Sequence, residues 1–548
     1  MRVSEKIVEH LIDHGINTVF GIPGTQTLPL NEAIERFDEI SYVMARHETA
    51  VTHQAWGYGQ TGGGMAATLV VPGPGDMNAM NGLKNALNDC TPLLHLSIET
   101  DPTIRSGDGI HETPHDTYDN VVKENILVEN PTGTVAAIAD AIVIARTPPK
   151  GPVRVGVPRS FLTEESAASV EIGKIDVPNP PSLNPSSVER LTTLLNKASN
   201  PVIIAGGGVR IAEASSELQA VAEKLSAPVF VTIKGKGVFR EDHPLFAGVL
   251  WGGMSEVVRE EIAASDATFA IGSDLDAVTT NDWEPVLPNL LHVTLHYDDL
   301  GGARNGYNPA FGLIADAKDV LTALADSLKT AETDGSDRAA VVRDREASQL
   351  EPLRESMYLP LNSVQALDVI RESLPRDAIV TADSGGCRLW TVVTFDVYDA
   401  HSYVNPGSWA SMGTGLPAAI GAKVANDDQP VVSIIGDGGL MMCIHELHTA
   451  IAEDIDVVTV VFNNSDYAII SDGANAEFGM AEEVFGWGDA PIDFATVADG
   501  LGLANFQAET PEEISSALEA ALSEDGASVV EIMTDSLEAQ TAAWMADG

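Results

Sequence analysis

Short runs of β-branched and aliphatic residues recur along the chain, each closed by turn-forming residues. AATLVV, PLLHLSI and PVRVGVP come first. PVIIAGGG, APVFVTI, ATFAIGS and LLHVTL follow in the middle, and DAIVTAD, VVSIIGDG, DVVTVVFNN and ASVVEIM complete the series. Apolar runs of that length, with helix-length segments between them, predict parallel strands covered on both faces and joined by crossover helices. The opening MRVSEKIVEHLIDHG has the spacing of an amphipathic helix, not the apolar block of a secretory leader. Two stretches lack the pattern and read as linkers: the proline-rich IDVPNPPSLNPSS (about 175–187) and the charged KTAETDGSDRAAVVRDREASQLEP (about 329–352). They divide the chain into blocks at 1–170, 185–330 and 360–548. The expectation is an α/β protein of three doubly wound parallel-sheet domains.

Composition sharpens this. A chain of 548 residues that is 44% hydrophobic has material for several cores. No apolar run approaches the ~18 residues of a membrane span. Acidic residues number 80 against 31 basic ones, a formal net charge of −49. The acids are dispersed (DDLGG, AEEVFGWGD, PEEISSALEAALSEDG) and form no tail for a basic partner, so they read as a solvated surface over the whole protein. Such a surface stays soluble where salt screens it and looks like that of a halophilic, haloarchaeal protein. It argues against nucleic acid as a partner. Cys90, Cys387 and Cys443 are scattered, without metal-ligand spacing or a disulfide framework, which suggests a reduced, cytoplasmic setting.

Two strand ends carry chemistry. One apolar run stops at Gly436-Asp437-Gly438 and the next at Asn463-Asn464. Ligands of parallel α/β sheets sit beyond the carboxyl ends of strands. There the first run places a carboxylate between residues that let a backbone approach, ahead of a helix N-terminus suited to phosphate. The second delivers a carboxamide oxygen. One carboxylate, one amide oxygen, backbone carbonyls and a diphosphate make the oxygen-rich octahedral set that Mg²⁺ prefers. Gly-Asp-Gly alone is a common turn. Its pairing with Asn-Asn, each ending an apolar strand, is far more specific.

The pair resembles the thiamine-diphosphate (ThDP) motif of the ThDP-dependent 2-oxo acid decarboxylase and acetohydroxyacid (acetolactate) synthase superfamily. The resemblance covers nearly the whole chain. It implies a pyrimidine-binding domain (1–170), a central Rossmann-like domain (185–330) and a diphosphate- and Mg²⁺-binding domain (360–548). It also implies that Mg²⁺ takes Asp437, the Asn464 side chain and the Asp466 main-chain carbonyl, with Gly436, Gly438 and Gly439 beside the diphosphate. GINTVFGIPGTQTLPLNEAI and ARHETAVTHQAWGYGQTGG resemble the pyrimidine-binding domain, with Pro23 and Gly24 at the cofactor. Glu48 matches the glutamate that hydrogen-bonds the aminopyrimidine. A carboxyl group on N1′ favours the imino tautomer, whose N4′ then removes the weakly acidic C2 proton. GSWASMGTGLPAAIGA resembles the segment that wedges an apolar residue, Met412, between the two rings, with backbone atoms of Ala410 and Met412 at the pyrimidine edge. ADSGGCRLW stands where a loop meets the diphosphate, through Ser384, Gly385, Gly386 and Cys387. VPGPGDMNAMNGL resembles the loop beside the glutamate, with Asn78 as its polar member.

On the substrate side, SGDGIHETPHDTY holds His111 and His115 on a loop expected near the thiazolium. His111 stands where family members carry a Gln or His, so His111 and His115 are the candidates for a catalytic role. Thr25 falls where some decarboxylases carry a substrate-contacting serine, and His445 reads as helix packing. Flavin-carrying members have an arginine where Asp274 stands and a methionine- and histidine-bearing loop where GVLWGG stands, so FAD is not expected. The synthases' tryptophan-bearing stretch after Asn-Asn is replaced by SDYAIISDGANAEFG, closer to the simple decarboxylases. The resemblance thus implies a ThDP- and Mg²⁺-dependent enzyme, read as a non-oxidative decarboxylase of a small 2-oxo acid. The alternative is an acetolactate-synthase-like carboligase, a transferase. A catalytically silent ThDP-binding protein is more remote, because Glu48, Asp437, Asn464 and Met412 are retained together. The family's sites lie at subunit interfaces, which implies a homodimer or homotetramer.

Overall fold

Each of the eleven apolar runs forms a strand. The computed structural model describes residues 1–105, 111–166, 182–302, 306–541 and 544–545. The His115 side chain lies outside that description, as does most of the proline-rich stretch. Among the described residues, eighteen strands form three six-stranded sheets, and every strand pairing within them is parallel. The first sheet orders Ser41–Met44, Thr18–Gly21, Ala66–Val70, Leu93–Glu99, Pro152–Pro158 and Glu124–Leu127. The second orders Phe311–Ile314, Leu291–Thr294, Ala267–Ile271, Pro201–Ala205, Val229–Thr232 and Phe246–Leu250. The third orders Tyr403–Val404, Ile379–Ala382, Val431–Gly436, Val458–Asn463, Ser528–Met533 and Ala504–Ala508. In the second sheet the chain starts in the middle, runs to one edge and returns for the other; in the first and third it starts beside one edge, fills that edge and then crosses to the other, so helices cover both faces. Leu93–Glu99 and Pro152–Pro158 are buried at every position, as central parallel strands must be.

The first and third sheets share a core. Phe20, Val51 and Leu83 pack in one apolar cluster with Leu416, Leu440 and Val461. Glycine makes this close approach possible. On the helix Glu48–Gln60, a Cβ at Gly57 would stand 2.3 Å from the Ala418 carbonyl oxygen. On the facing helix Gly415–Ala425, a Cβ at Gly421 would stand 1.9 Å from that of Gln54. The two backbones therefore touch without intervening side chains.

One expectation is corrected. The charged stretch taken as a linker contains a 19-residue helix, Ser336–Arg354, which buries Ala339, Val342 and Leu350. Its Glu346 accepts a hydrogen bond from Ser255 Oγ at 2.7 Å. Three apolar positions at helical spacing suffice because neighbouring elements cover them. No helix among the described residues is long and apolar enough to cross a membrane.

Candidate active site

Three neighbouring strands of the first sheet deliver its expected site residues at their carboxyl ends. Pro23, Gly24 and Thr25 follow Thr18–Gly21, Glu48 follows Ser41–Met44, and Asn78 follows Ala66–Val70. Glu48 opens its helix, and His47 caps it by accepting the Thr49 N–H on Nδ1 at 3.2 Å. Asn78 Nδ2 donates to Glu48 Oε2 at 3.0 Å, and the Thr49 hydroxyl donates to the Asn78 carbonyl at 2.7 Å. Gly75 keeps the approach open, since a Cβ there would stand 3.1 Å from Glu48 Oε1. The helix bearing Asn78, Pro74–Asn88, is anchored from below by Asp76. Asp76 accepts from His95 Nε2 at 2.9 Å and Arg154 Nη2 at 2.6 Å. Burial alone would raise its pKa, but His95 and Arg154 hold it well below the usual carboxylate range. His111 is exposed with φ +66°, and its backbone lies over Gly73, where a Cβ would stand 2.8 Å from the His111 Cα. The structure thus lays the His111 backbone on Gly73, two residues before the Gly75 that adjoins Glu48. Thr25 is exposed on the same edge.

The third sheet builds a cavity of about 380 Å³. Its lining includes Ser384–Cys387, Ala410, Met412, Gly436–Gly439, Asn464 and Asp466, and every lining residue lies between 363 and 540. Asp437 and Asn464 meet because Val431–Gly436 and Val458–Asn463 pair directly, with Gly436 opposite Phe462. Asp437 Oδ2 accepts the N–H groups of Asn464 at 3.1 Å and Ser465 at 2.7 Å. Burial, with Asp466 nearby, pushes its carboxyl up to about 6. Asn464 Oδ1 accepts the Asp466 N–H at 3.1 Å, while Asp466 Oδ2 is buried without a hydrogen-bond partner. Two acids in one pocket, met by hydrogen-bond donors but, among the described residues, by no ion-pair partner, suit a divalent cation. The described residues contain no cluster of three His, Cys, Asp or Glu ligands, so amide, main-chain and ligand oxygens would have to complete the coordination. That mixture fits Mg²⁺. Ala410, a non-glycine residue at φ +49°, shows backbone strain beside Met412.

Asp383 was not singled out from the sequence. It ends Ile379–Ala382 inside the protein and accepts the N–H groups of Ser384 at 2.8 Å, Gly413 at 2.9 Å and Thr414 at 3.1 Å. One buried carboxylate thus joins the Ser384 loop to the Met412 loop. Its only signal was an apolar strand ending in an acid, DAIVTAD. His445 is partly exposed, its ring centroid 5.6 Å from that of His47.

A smaller cavity of about 120 Å³ lies at the carboxyl ends of the second sheet. It is lined by Gly207, Gly208, Lys234 and Asp274, with Asp89 from the first block. Lys234 Nζ is held by Asp274 Oδ2 at 3.2 Å.

Three family models match in series. The thiamine pyrophosphate enzyme N-terminal TPP binding domain matches residues 1–121, the central domain 188–324 and the C-terminal TPP binding domain 383–532. The acetolactate synthase large subunit of Lactococcus lactis is 27% identical over 546 residues, covering 98% of this chain and 93% of that protein. The isozyme 1 large subunit of Escherichia coli is 27% identical over 544 residues, covering 98% and 94%. Among solved structures, the thiamine diphosphate-dependent 4-hydroxybenzoylformate decarboxylase of Rhodococcus jostii superposes with a TM-score of 0.86 at 26% identity, covering 98% of this chain and 99% of that one.

Proposed function

The chain belongs to the thiamine-diphosphate-dependent 2-oxo acid decarboxylase and acetolactate synthase superfamily, and from that premise we propose that it is a ThDP- and Mg²⁺-dependent decarboxylase of a 2-oxo acid. The observation that carries the reading is the single cavity in which Asp437, Asn464, Met412 and the Ser384–Cys387 loop converge. In this reading Asp437, Asn464 Oδ1 and the Asp466 carbonyl hold Mg²⁺, and the glycines on either side of Asp437 leave room for a diphosphate. Bound there, thiamine diphosphate supplies a nucleophilic C2 carbon and an electron sink for the departing carboxylate.

Glu48 would present its carboxyl to the pyrimidine, with Asn78 holding one of its oxygens and the other left to bond the ring nitrogen. Since the cavity draws its lining from residues 363–540 alone, a second copy of the chain brings the Glu48 edge to it, and the enzyme is a homodimer or a dimer of dimers. His111, its backbone over Gly73, stands at the substrate side of that edge. Thr25 lies on the same edge, within reach of the substrate. FAD is not expected in the central cavity: Asp274 stands in its lining where flavin-carrying members have an arginine, and Lys234 there is already paired with that aspartate.

The synthase names of the relatives favour a second reading, carboligation to acetolactate. SDYAIISDGANAEFG, in place of the synthases' tryptophan-bearing stretch, favours decarboxylation. The test is product analysis in high salt with ThDP and Mg²⁺, on pyruvate and a panel of aliphatic and aromatic 2-oxo acids. CO₂ with the matching aldehyde is expected. Acetolactate as the main product from pyruvate would replace this reading with the synthase, and no CO₂ from any member would replace it with a silent binder.

A further inference from the structure

One buried carboxylate joins the first sheet's site to the third domain and has no part in binding cofactor or metal as described above. Glu446 is fully buried at the start of the helix Glu446–Ala452. Its Oε1 accepts the backbone N–H groups of Arg46 and His47, both at 3.0 Å. Its Oε2 accepts from Gln54 Nε2 at 3.0 Å and from the Thr449 hydroxyl at 2.7 Å. Arg46 and His47 are the two residues before Glu48, and Gln54 lies on the helix that Glu48 begins. A single side chain therefore grips the chain on both sides of Glu48. Around it, Arg46 Nε donates to His448 Nδ1 at 2.9 Å, and the His47 and His445 rings adjoin.

We propose that Glu446 is a positioning residue for Glu48: from the third domain it fixes the turn that aims the Glu48 carboxyl. The proposal rests on the reading of Glu48 as the activating carboxylate. The strand-to-helix turn leaves backbone N–H groups that its own segment does not satisfy. Glu446 satisfies two of them; the turn is half-buried and the carboxylate fully buried, so losing these bonds leaves donors with incomplete access to water. Proton exchange with the pyrimidine demands a carboxyl held to within a fraction of an ångström, and a misplacement of about 1 Å costs on the order of 10²-fold. Asn78 restrains only one oxygen of Glu48 and says nothing of where its backbone starts. Glu446 sets that start. Asp437 and Glu446 lie on consecutive helices, so the segment that lines one cavity also holds the turn of this chain's own Glu48.

The experiment compares Glu446→Ala, Glu446→Gln and Glu48→Gln in the full-length enzyme. It measures C2–H/D exchange at saturating ThDP and Mg²⁺ together with ThDP titration. Glu446→Ala strands the Arg46 and His47 N–H groups and is expected to slow exchange about 10²-fold, with ThDP affinity within about threefold of wild type. Glu446→Gln is expected to recover most of the rate. Its amide oxygen accepts the same two N–H groups, and its NH₂, standing where Oε2 accepted from Gln54 Nε2, donates to Gln54 Oε1 once that amide flips, an oxygen buried without a partner in the native protein.

A role limited to stability would lower the unfolding temperature of both variants while leaving exchange at full occupancy unchanged, and that result overturns the proposal. Equal loss in Glu446→Ala and Glu446→Gln also overturns it, because charge and not position would then matter. Wild-type exchange in Glu48→Gln overturns the prior reading of Glu48, an outcome distinct from failure at Glu446 alone. If Glu446→Ala does not assemble, Glu446→Asp gives the same test. Its shortened carboxylate cannot span Arg46, His47 and Gln54 together, and exchange at the wild-type rate in that variant refutes the proposal.

Discussion

Lys236→Met should destabilise the protein far more than its position, remote from both site clusters, suggests. Lys236 and Glu241 are 1% and 6% exposed. The ammonium lies 3.0 and 2.8 Å from the two Glu241 oxygens and also donates to the Val392 carbonyl at 3.1 Å. Glu241 in turn accepts the Val397 N–H at 3.2 Å. The pair thus ties the second sheet's block to the third. Burial pushes the Glu241 carboxyl up to about 7 even against the pull of the lysine. Methionine keeps most of the stem and removes the charge, leaving a buried carboxylate without a cation, a change that typically costs about 3–5 kcal/mol. For a domain of this size that is a fall in midpoint on the order of 10 °C. The pH dependence follows from the sign of the shift. Without the lysine, the folded pKa of Glu241 rises further above its unfolded value of 4.5, so the folded state holds the proton more tightly. The variant's stability is then fully present below about pH 4.5 and is lost as pH rises through the folded pKa, above about 7. Wild-type Glu241 already sits at about 7, so the deficit should be small at pH 5, open above about pH 7 and grow by about 1.4 kcal/mol per pH unit toward the variant's own, higher folded pKa. Lys236→Met/Glu241→Leu should recover most of it, since an apolar pair of similar volume is often neutral or better. Calorimetric midpoints in high salt for the two single variants and the double variant provide the assay. A Lys236→Met deficit under about 1 kcal/mol, or one that does not shrink toward pH 5, would refute the reasoning.

Lowering salt from about 1 M to about 0.1 M lengthens the Debye length from about 3 to about 10 Å. With a net charge of −49, the proposed oligomer should dissociate and lose activity, as light scattering and turnover will show. Gly421→Val should cost at least the ~1–3 kcal/mol of an overpacked core, read as a lower midpoint, because its side chain would enter the Gln54 backbone. Asp437→Ala should weaken Mg²⁺ binding, and ThDP retention with it, by more than about 100-fold in a metal titration, above the loss typical of outer-shell partners. C2–H exchange per bound cofactor should be largely spared, the reverse of Glu48→Gln.

The fold was legible where strands are buried on both faces. Each of the eleven quoted runs is interior to its sheet, where an apolar stretch is the only sequence that fits. The edge strands carry no such run. Ser41–Met44, Glu124–Leu127 and Phe311–Ile314 expose residues to solvent, Tyr403–Val404 has two residues, and Ala504–Ala508 is mostly half-buried. Phe246–Leu250 is buried but is interrupted by Gly248 at φ +131° and a register shift. Thr18–Gly21 is the one interior strand without its own run, four residues long and merging into a Gly-Pro turn. The helix Ser336–Arg354 failed for a related reason, since charge dominates its surface while only Ala339, Val342 and Leu350 bury.

The site divides along the same line. Residues expected to touch a cofactor announce themselves because glycines and acids at strand ends have little reason to be there otherwise. Asp437, Asn464 and Glu48 are of that kind. Residues that hold those in place are addressed to backbone amides far away in sequence, and nothing local marks them. Asp383 reaches about thirty residues ahead to Gly413 and Thr414, and Glu446 reaches about four hundred back to Arg46 and His47. Both are carboxylates in apolar surroundings, where the usual reading is an acid at a helix start or a turn. Their cost is recovered only through several converging N–H donors, which exist only once the sheets have packed. A Glu at the head of Glu446–Ala452 satisfies helix rules whether or not it reaches Glu48. Its role becomes visible when the Gly57 and Gly421 contact brings the first and third domains to backbone distance, because that approach carries the Arg46–Glu48 turn onto the carboxylate.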